Sequence, residues 1–176
     1  MSSIVISGDT SGAITLAAPS VAGTNTATLP ASSGVVMVSG NMPAFSAYNN
    51  TSQTLSGSTY TKITCNIKEF DTNSYYDNTT NYRFTPLIAG YYQFTAGLGI
   101  ATTQTELLVT FYKNGSQFKQ VQNTGNASTS ATSGSALIYC NGSTDYVEFY
   151  GLINTGQNLA PQSYLTYFQA VMVRAA

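Results

Sequence analysis

The chain has 176 residues, enough for one ordinary domain with a short appendage. Only 7% of it is Asp, Glu, Lys or Arg, against roughly a quarter in an average globular protein, and six basic residues nearly cancel seven acidic ones. No basic stretch is available to neutralise phosphates or anionic lipid, so neither a nucleic-acid nor a membrane partner is expected.

Polarity comes instead from Ser, Thr and Asn, together about a third of the chain. Thirteen Tyr and eight Phe accompany them. Aromatic and β-branched residues fit a half-buried pleated surface, and Gly, Asn and Ser fit tight turns, so the composition reads as all-β. The start, Met1-Ser-Ser-Ile-Val-Ile-Ser-Gly, has no basic region and a three-residue apolar run, which fits neither a signal peptide nor a membrane span. Asn-x-Ser/Thr triplets at Asn49, Asn50, Asn78, Asn114, Asn126 and Asn141 follow from the composition.

Residues 1–42 contain no aromatic side chain and one charge, Asp9. Short apolar runs (Ile4 to Ile6, Ala13 to Leu16, Val35 to Val38) alternate with Gly, Ser and Pro, which predicts an arm of short β segments. Such a strip cannot bury both faces alone and needs a partner. Ile4, Ile6, Ile14, Leu16, Leu29 and Val36 are its candidate attachment residues.

From Pro43 the aromatic residues begin, and residues 43–176 read as a head domain. Tyr92 to Ile100 alternates at period two, as a strand with one buried face should. Glu106 to Lys113 and Ser135 to Cys140 are further strands, ending at Asn114-Gly115 and Asn141-Gly142, pairs that enter tight turns easily. Asp145 to Leu152 and Tyr164 to Val173 complete the set, the last expected inside its sheet. No stretch carries helical spacing. Six or more strands at this interval imply a sandwich or jelly roll. Tyr92, Phe94, Phe111, Phe149 and Phe168 are its candidate core. Cys65 and Cys140 are placed in strands as small buried groups, with a bridge between them left open.

Some of these segments resemble a known family. Phe84-x5-Gly90-x-Tyr92-x-Phe94 resembles the central signature of the complement globular head, a relative of the tumour necrosis factor fold. Phe111-Tyr112-Lys113-Asn114-Gly115, Ser133 to Ile138 with Gly142-x-x-Asp145-Tyr146-Val147, and Tyr167-Phe168-Gln-Ala170-Val171 follow in the family's order. The likeness covers about residues 44–174. It departs at Ala96, where an aromatic is usual, and around Tyr75, Tyr76 and Asp77. Residues 6–30 resemble a segment common in phage tail-fibre and other virion proteins. The two resemblances imply a jelly-roll head of about ten strands, a threefold homotrimer, and a virion location.

The site expectations follow. No His is present, so no Ser-His or Cys-His pair and no His-based metal site can form. The acidic pairs Glu69 with Asp71 and Asp145 with Glu148 read as solvated face or turn residues, and Asp71 and Asp77 as solvated loop acids with no calcium-loop spacing. No enzyme, cofactor or metal is expected. Tyr146, Tyr164 and Tyr167 are candidates for the trimer interface. Tyr75 and Tyr76, in a polar loop, are candidates for binding host-surface glycan. The expected role is capsid decoration, with the arm gripping the major capsid protein or another virion protein. The alternative is a short fibre whose tip binds glycans.

Overall fold

Alternation of apolar and polar residues becomes strand through most of the chain. A computed structural model describes residues 3–21, 23–26, 31, 34, 36–38, 40, 42–123 and 129–176, with no α-helix among them. Two compact units emerge, Met1–Gly34 and Val35–Ala176.

The first unit holds β1 (Ser3–Ser7) and β2 (Ala13–Ala17), an antiparallel hairpin in which Ile4 faces Leu16 and Ile6 faces Ile14. Its turn closes where the Gly8 N–H donates to the Gly12 carbonyl (2.9 Å), with Gly12 at a φ of 80°. Leu29 lies outside the described residues. Residues 36–38 form no strand, contrary to expectation, and belong to the second unit, where Met37 packs against the core.

The second unit begins with β3 (Ala44–Tyr48), β4 (Thr54–Leu55), β5 (Thr61–Lys62), β6 (Ile67–Asp71), β7 (Tyr76–Asp77) and β8 (Arg83–Phe84). Then come β9 (Gly90–Gln104), β10 (Leu107–Lys113), β11 (Ser116–Asn123), β12 (Thr129–Cys140), β13 (Val147–Ile153), β14 (Gln157–Asn158) and β15 (Tyr167–Ala175). One sheet runs β11-β10-β13-β8-β7, with β5 also on β13; the other runs β12-β9-β15-β3-β6. These strands exceed the expected ten through two-residue ladders such as β4, β5 and β14. The fold is an all-β jelly roll.

Strand β15 is interior, paired to β9 on one side and β3 on the other. It starts at Tyr167 and not Tyr164, because residues 163–165 form a turn. Asn114 (φ 54°) and Gly115 (φ 78°) both take the left-handed conformation and join β10 to β11 as a hairpin. Asn141-Gly142 does a different job, carrying the chain from one sheet to the other between β12 and β13. A β-carbon on Gly142 would come within 2.3 Å of the Ala89 backbone nitrogen, so this crossing needs glycine.

The core lies between the sheets. Tyr92, Phe94, Phe111, Phe149 and Phe168 are all buried there, with Phe45 and Phe84. Phe168 is the hub: its ring lies 5.1 Å from Phe45, 5.8 Å from Phe94, and 6.0 Å from both Phe111 and Phe149. Burying each such ring stabilises by about 1.5–3 kcal/mol, so the aromatic cluster dominates the packing. Cys65 and Cys140 are buried and unbridged, and Cys65 sits between β5 and β6, outside any strand.

Candidate interaction surfaces

Strand parity sends one set of side chains into the core and the other outward. On the five-stranded sheet the outward set is apolar to an unusual degree: Phe70, Tyr91, Leu137, Tyr139 and Val171 are 39–52% exposed. Tyr91 and Tyr139 touch across β9 and β12, with ring centroids 5.4 Å apart. A shallow groove beside them is lined by Ala44, Phe70, Gln93, Thr95, Gln169 and Val171. Charges touch this face at its margins: Arg174 is the cross-strand partner of Tyr91, the Lys113 ammonium lies 5.7 Å from the Tyr139 ring centre, and Glu69 accepts from the Ser46 hydroxyl (2.6 Å).

The three tyrosines expected at one interface are not brought together. Tyr167 lies on this face, covering Gly97. Tyr146 lies on the outer side of the other sheet, where the Arg83 guanidinium stacks 4.2 Å from its ring centre. Tyr164 is 74% exposed in the turn before β15. Leu137, Tyr139 and Phe70 were missed from the sequence; their alternation with buried Ile138 and Cys140 was the available signal for the first two.

The outer side of the six-stranded sheet carries a second aromatic group. Tyr112 and Tyr150 stack with centroids 3.8 Å apart and planes 20° from parallel, and Tyr60 lies 6.0 Å from Tyr112. The Tyr60 hydroxyl meets Gln120 and Gln117, each at 3.3 Å. Beside them the Lys62 ammonium pairs with the buried Glu148 carboxylate. Beneath them the Thr110 hydroxyl is buried with no hydrogen-bond partner.

Tyr75 and Tyr76 are not an open glycan platform. The Asp71 carboxylate accepts the N–H groups of Tyr75 (3.1 Å) and Tyr76 (3.0 Å) and turns the segment inward. Tyr76 is buried, stacked 4.7 Å from Phe45, with its hydroxyl donating to the Cys65 carbonyl (3.0 Å). Tyr75 is half-buried with its ring edge-on to Phe84. Polar neighbours in the sequence concealed this, because their polarity serves the turn itself.

Asp71, Asp77 and Asp145 are structural anchors. Asp71 ends β6 and pairs with Lys68 (3.4 Å), and its carboxylate is shielded from solvent, so it is no solvated loop acid. Asp77 accepts N–H groups from Thr80 (3.0 Å), Thr79 (2.9 Å) and Asn81 (3.0 Å) and the Asn81 amide (2.8 Å). These bonds, that of Thr80 foremost, hold its carboxyl well below the usual range. At Asp145 burial pushes the pKa up, but Asn114, Lys113 and the Asn141 N–H outweigh it and leave it lowered. Neither acidic pair presents two free carboxylates to a shared cleft. Among the described residues no three of His, Cys, Asp and Glu gather into a metal-binding group.

In the hairpin, Ile4, Ile6, Ile14 and Leu16 are 54–67% exposed, and Val5 points the other way at 57%.

No family model and no curated protein matches the sequence. Solved structures do match the fold. Murine APRIL aligns with a TM-score of 0.57 at 7% identity, covering 75% of this chain and 99% of its own. The globular domain of zebrafish complement 1qA protein aligns at 0.53 and 16% identity, covering 76% and 98%. The phage PRD1 vertex protein P5 aligns at 0.52 and 16% identity, covering 74% and 92%. The head therefore has the jelly-roll fold of the tumour necrosis factor and complement heads, a fold that also occurs in a vertex protein.

Proposed function

We propose that the chain is a non-catalytic structural virion protein of a phage. Its heads assemble as a homotrimer through the outward face of the five-stranded sheet, and the N-terminal unit attaches the trimer to a major capsid protein or another virion protein. The carrying observation is the apolar exposure of Phe70, Tyr91, Leu137, Tyr139 and Val171 on one sheet face, more than a monomer usually leaves in water. Closed symmetry buries the same patch on every copy without inviting open filaments. The resemblance of residues 6–30 to virion-protein segments motivates the virion setting, and the fold shared with a phage vertex protein is compatible with it. Three attachment arms acting together turn modest single affinities into tight anchorage.

Deleting residues 2–34, the first unit alone, tests this reading. The expected product is a soluble trimer by sedimentation that no longer binds empty shells. Retained shell binding overturns the attachment role, and a monomeric full chain overturns the assembly.

A second reading, a fibre tip that binds neutral glycan, is favoured by the Tyr60, Tyr112 and Tyr150 group, since stacked aromatic rings fringed by amides suit sugar faces. Binding on a glycan array that Tyr112→Ala abolishes and Tyr75→Ala preserves supports this reading; no binding to any glycan dismisses it.

A further inference from the structure

We propose that in the trimer the aliphatic face of each N-terminal hairpin is covered by the same face of the sister hairpins, so that three copies build a small apolar foot. This rests on the trimeric reading above. The register puts Ile4 opposite Leu16 and Ile6 opposite Ile14, and all four project to one side of a two-stranded ribbon. Each is more than half exposed. An isolated two-stranded hairpin is marginal in water, so this face needs a cover.

Area and chemistry identify the cover. A fully buried aliphatic side chain removes on the order of 100 Å² from water, so four partly covered ones offer roughly 300 Å² per hairpin. A separate protein held in a specific complex buries about 800 Å² per partner, well beyond this patch. Sister hairpins face no such threshold, because the heads already hold three of them at high local concentration. The face offers no charge and no hydrogen-bonding side chain for a dedicated foreign surface to read. Asp9, the sole charged side chain of residues 1–34, sits out in the turn. The reverse face, with Val5 and Thr15, and the strand edges then remain for the shell.

Site-specific cross-linking in the full chain tests the foot. Cys65 and Cys140 are buried, so a short bis-maleimide reports on introduced thiols. Ile6→Cys is expected to give interchain product in the free protein, before any shell is added, about tenfold above that of Val5→Cys on the reverse face. Ile14→Asp is expected to make residues 1–34 at least severalfold more sensitive to protease while sedimentation still reports trimers. Trimers in which Ile6→Cys and Val5→Cys cross-link equally poorly, or Ile6→Cys links only to added shell protein, overturn the foot and leave the trimer standing. Monomers by sedimentation overturn the trimeric reading, and the foot with it.

Discussion

The Tyr167 side chain covers Gly97: a β-carbon built on that glycine would come within 2.4 Å of the ring and 2.8 Å of the Leu165 carbonyl oxygen. The two residues face each other across β15 and β9, and the contact fixes Tyr167 on the apolar outer face. Gly97→Ala must move both ring and backbone. Equilibrium unfolding in denaturant is expected to show a loss of about 1–3 kcal/mol. Gly34→Ala, with nothing within 4 Å, is the matched control and is expected to leave the midpoint unchanged.

Charge placed on the outer face is expected to separate the subunits. Val171 and Leu137 are exposed, so Val171→Lys and Leu137→Lys leave the core intact. Analytical ultracentrifugation of the double variant is expected to show folded monomers where the parent gives trimers. Tyr164→Ala is expected to sediment as the parent does, because that side chain lies in a turn off the face.

The strands that announce themselves in the sequence are those with one face in the core. Tyr92 to Ala96 alternates because every second residue enters the core, and Leu107 to Phe111 reads as an apolar run because it is buried throughout. Strand β11 (Ser-Gln-Phe-Lys-Gln-Val-Gln-Asn) hides because it is a sheet edge, where polar residues guard unpaired backbone. Strand β6 hides for the same reason. Tyr76 was misread because an inward turn made by Asp71 and an exposed loop use the same residue types. Long-range pairing decides the rest: the sequence does not say that Asn141-Gly142 changes sheets where Asn114-Gly115 closes a hairpin.

Lys62 and Glu148 are unequal partners, since the carboxylate is buried and the ammonium is about a third exposed. Lys62→Met strands a buried charge and is expected to cost about 2 kcal/mol, below the roughly 3–5 kcal/mol of fully buried pairs because solvent screens this one. Glu148→Gln, which leaves only a solvated ammonium behind, is expected to cost less. Paired thermal melts of the two variants read the asymmetry.

Acid is expected to weaken the head from one side only. Asp77 and Asp145 have folded-state pKa values below their unfolded values, which lie near about 3.9. Their stabilisation is therefore complete above that pH and is lost as the pH falls through the lowered folded values. With no His in the chain, the denaturation midpoint is expected to be level from about pH 7 to 5 and to fall below about pH 4. Asp77→Asn is expected to lower the neutral-pH midpoint and flatten the acid limb.

Burial pushes the Cys65 thiol well above its ordinary range and Cys140 up to about 12. The thiolate is the reacting form, so native protein is expected to resist iodoacetamide near pH 8. Both thiols are expected to alkylate in denaturant, each adding one mass increment.

Strand β15 is sandwiched between β3, some 120 residues earlier, and β9. Until β15 leaves the ribosome, the sheet has an open slot down its middle and Phe168 cannot reach the rings it joins. A chain lacking β15 therefore has neither the closed five-stranded sheet nor the joined aromatic core.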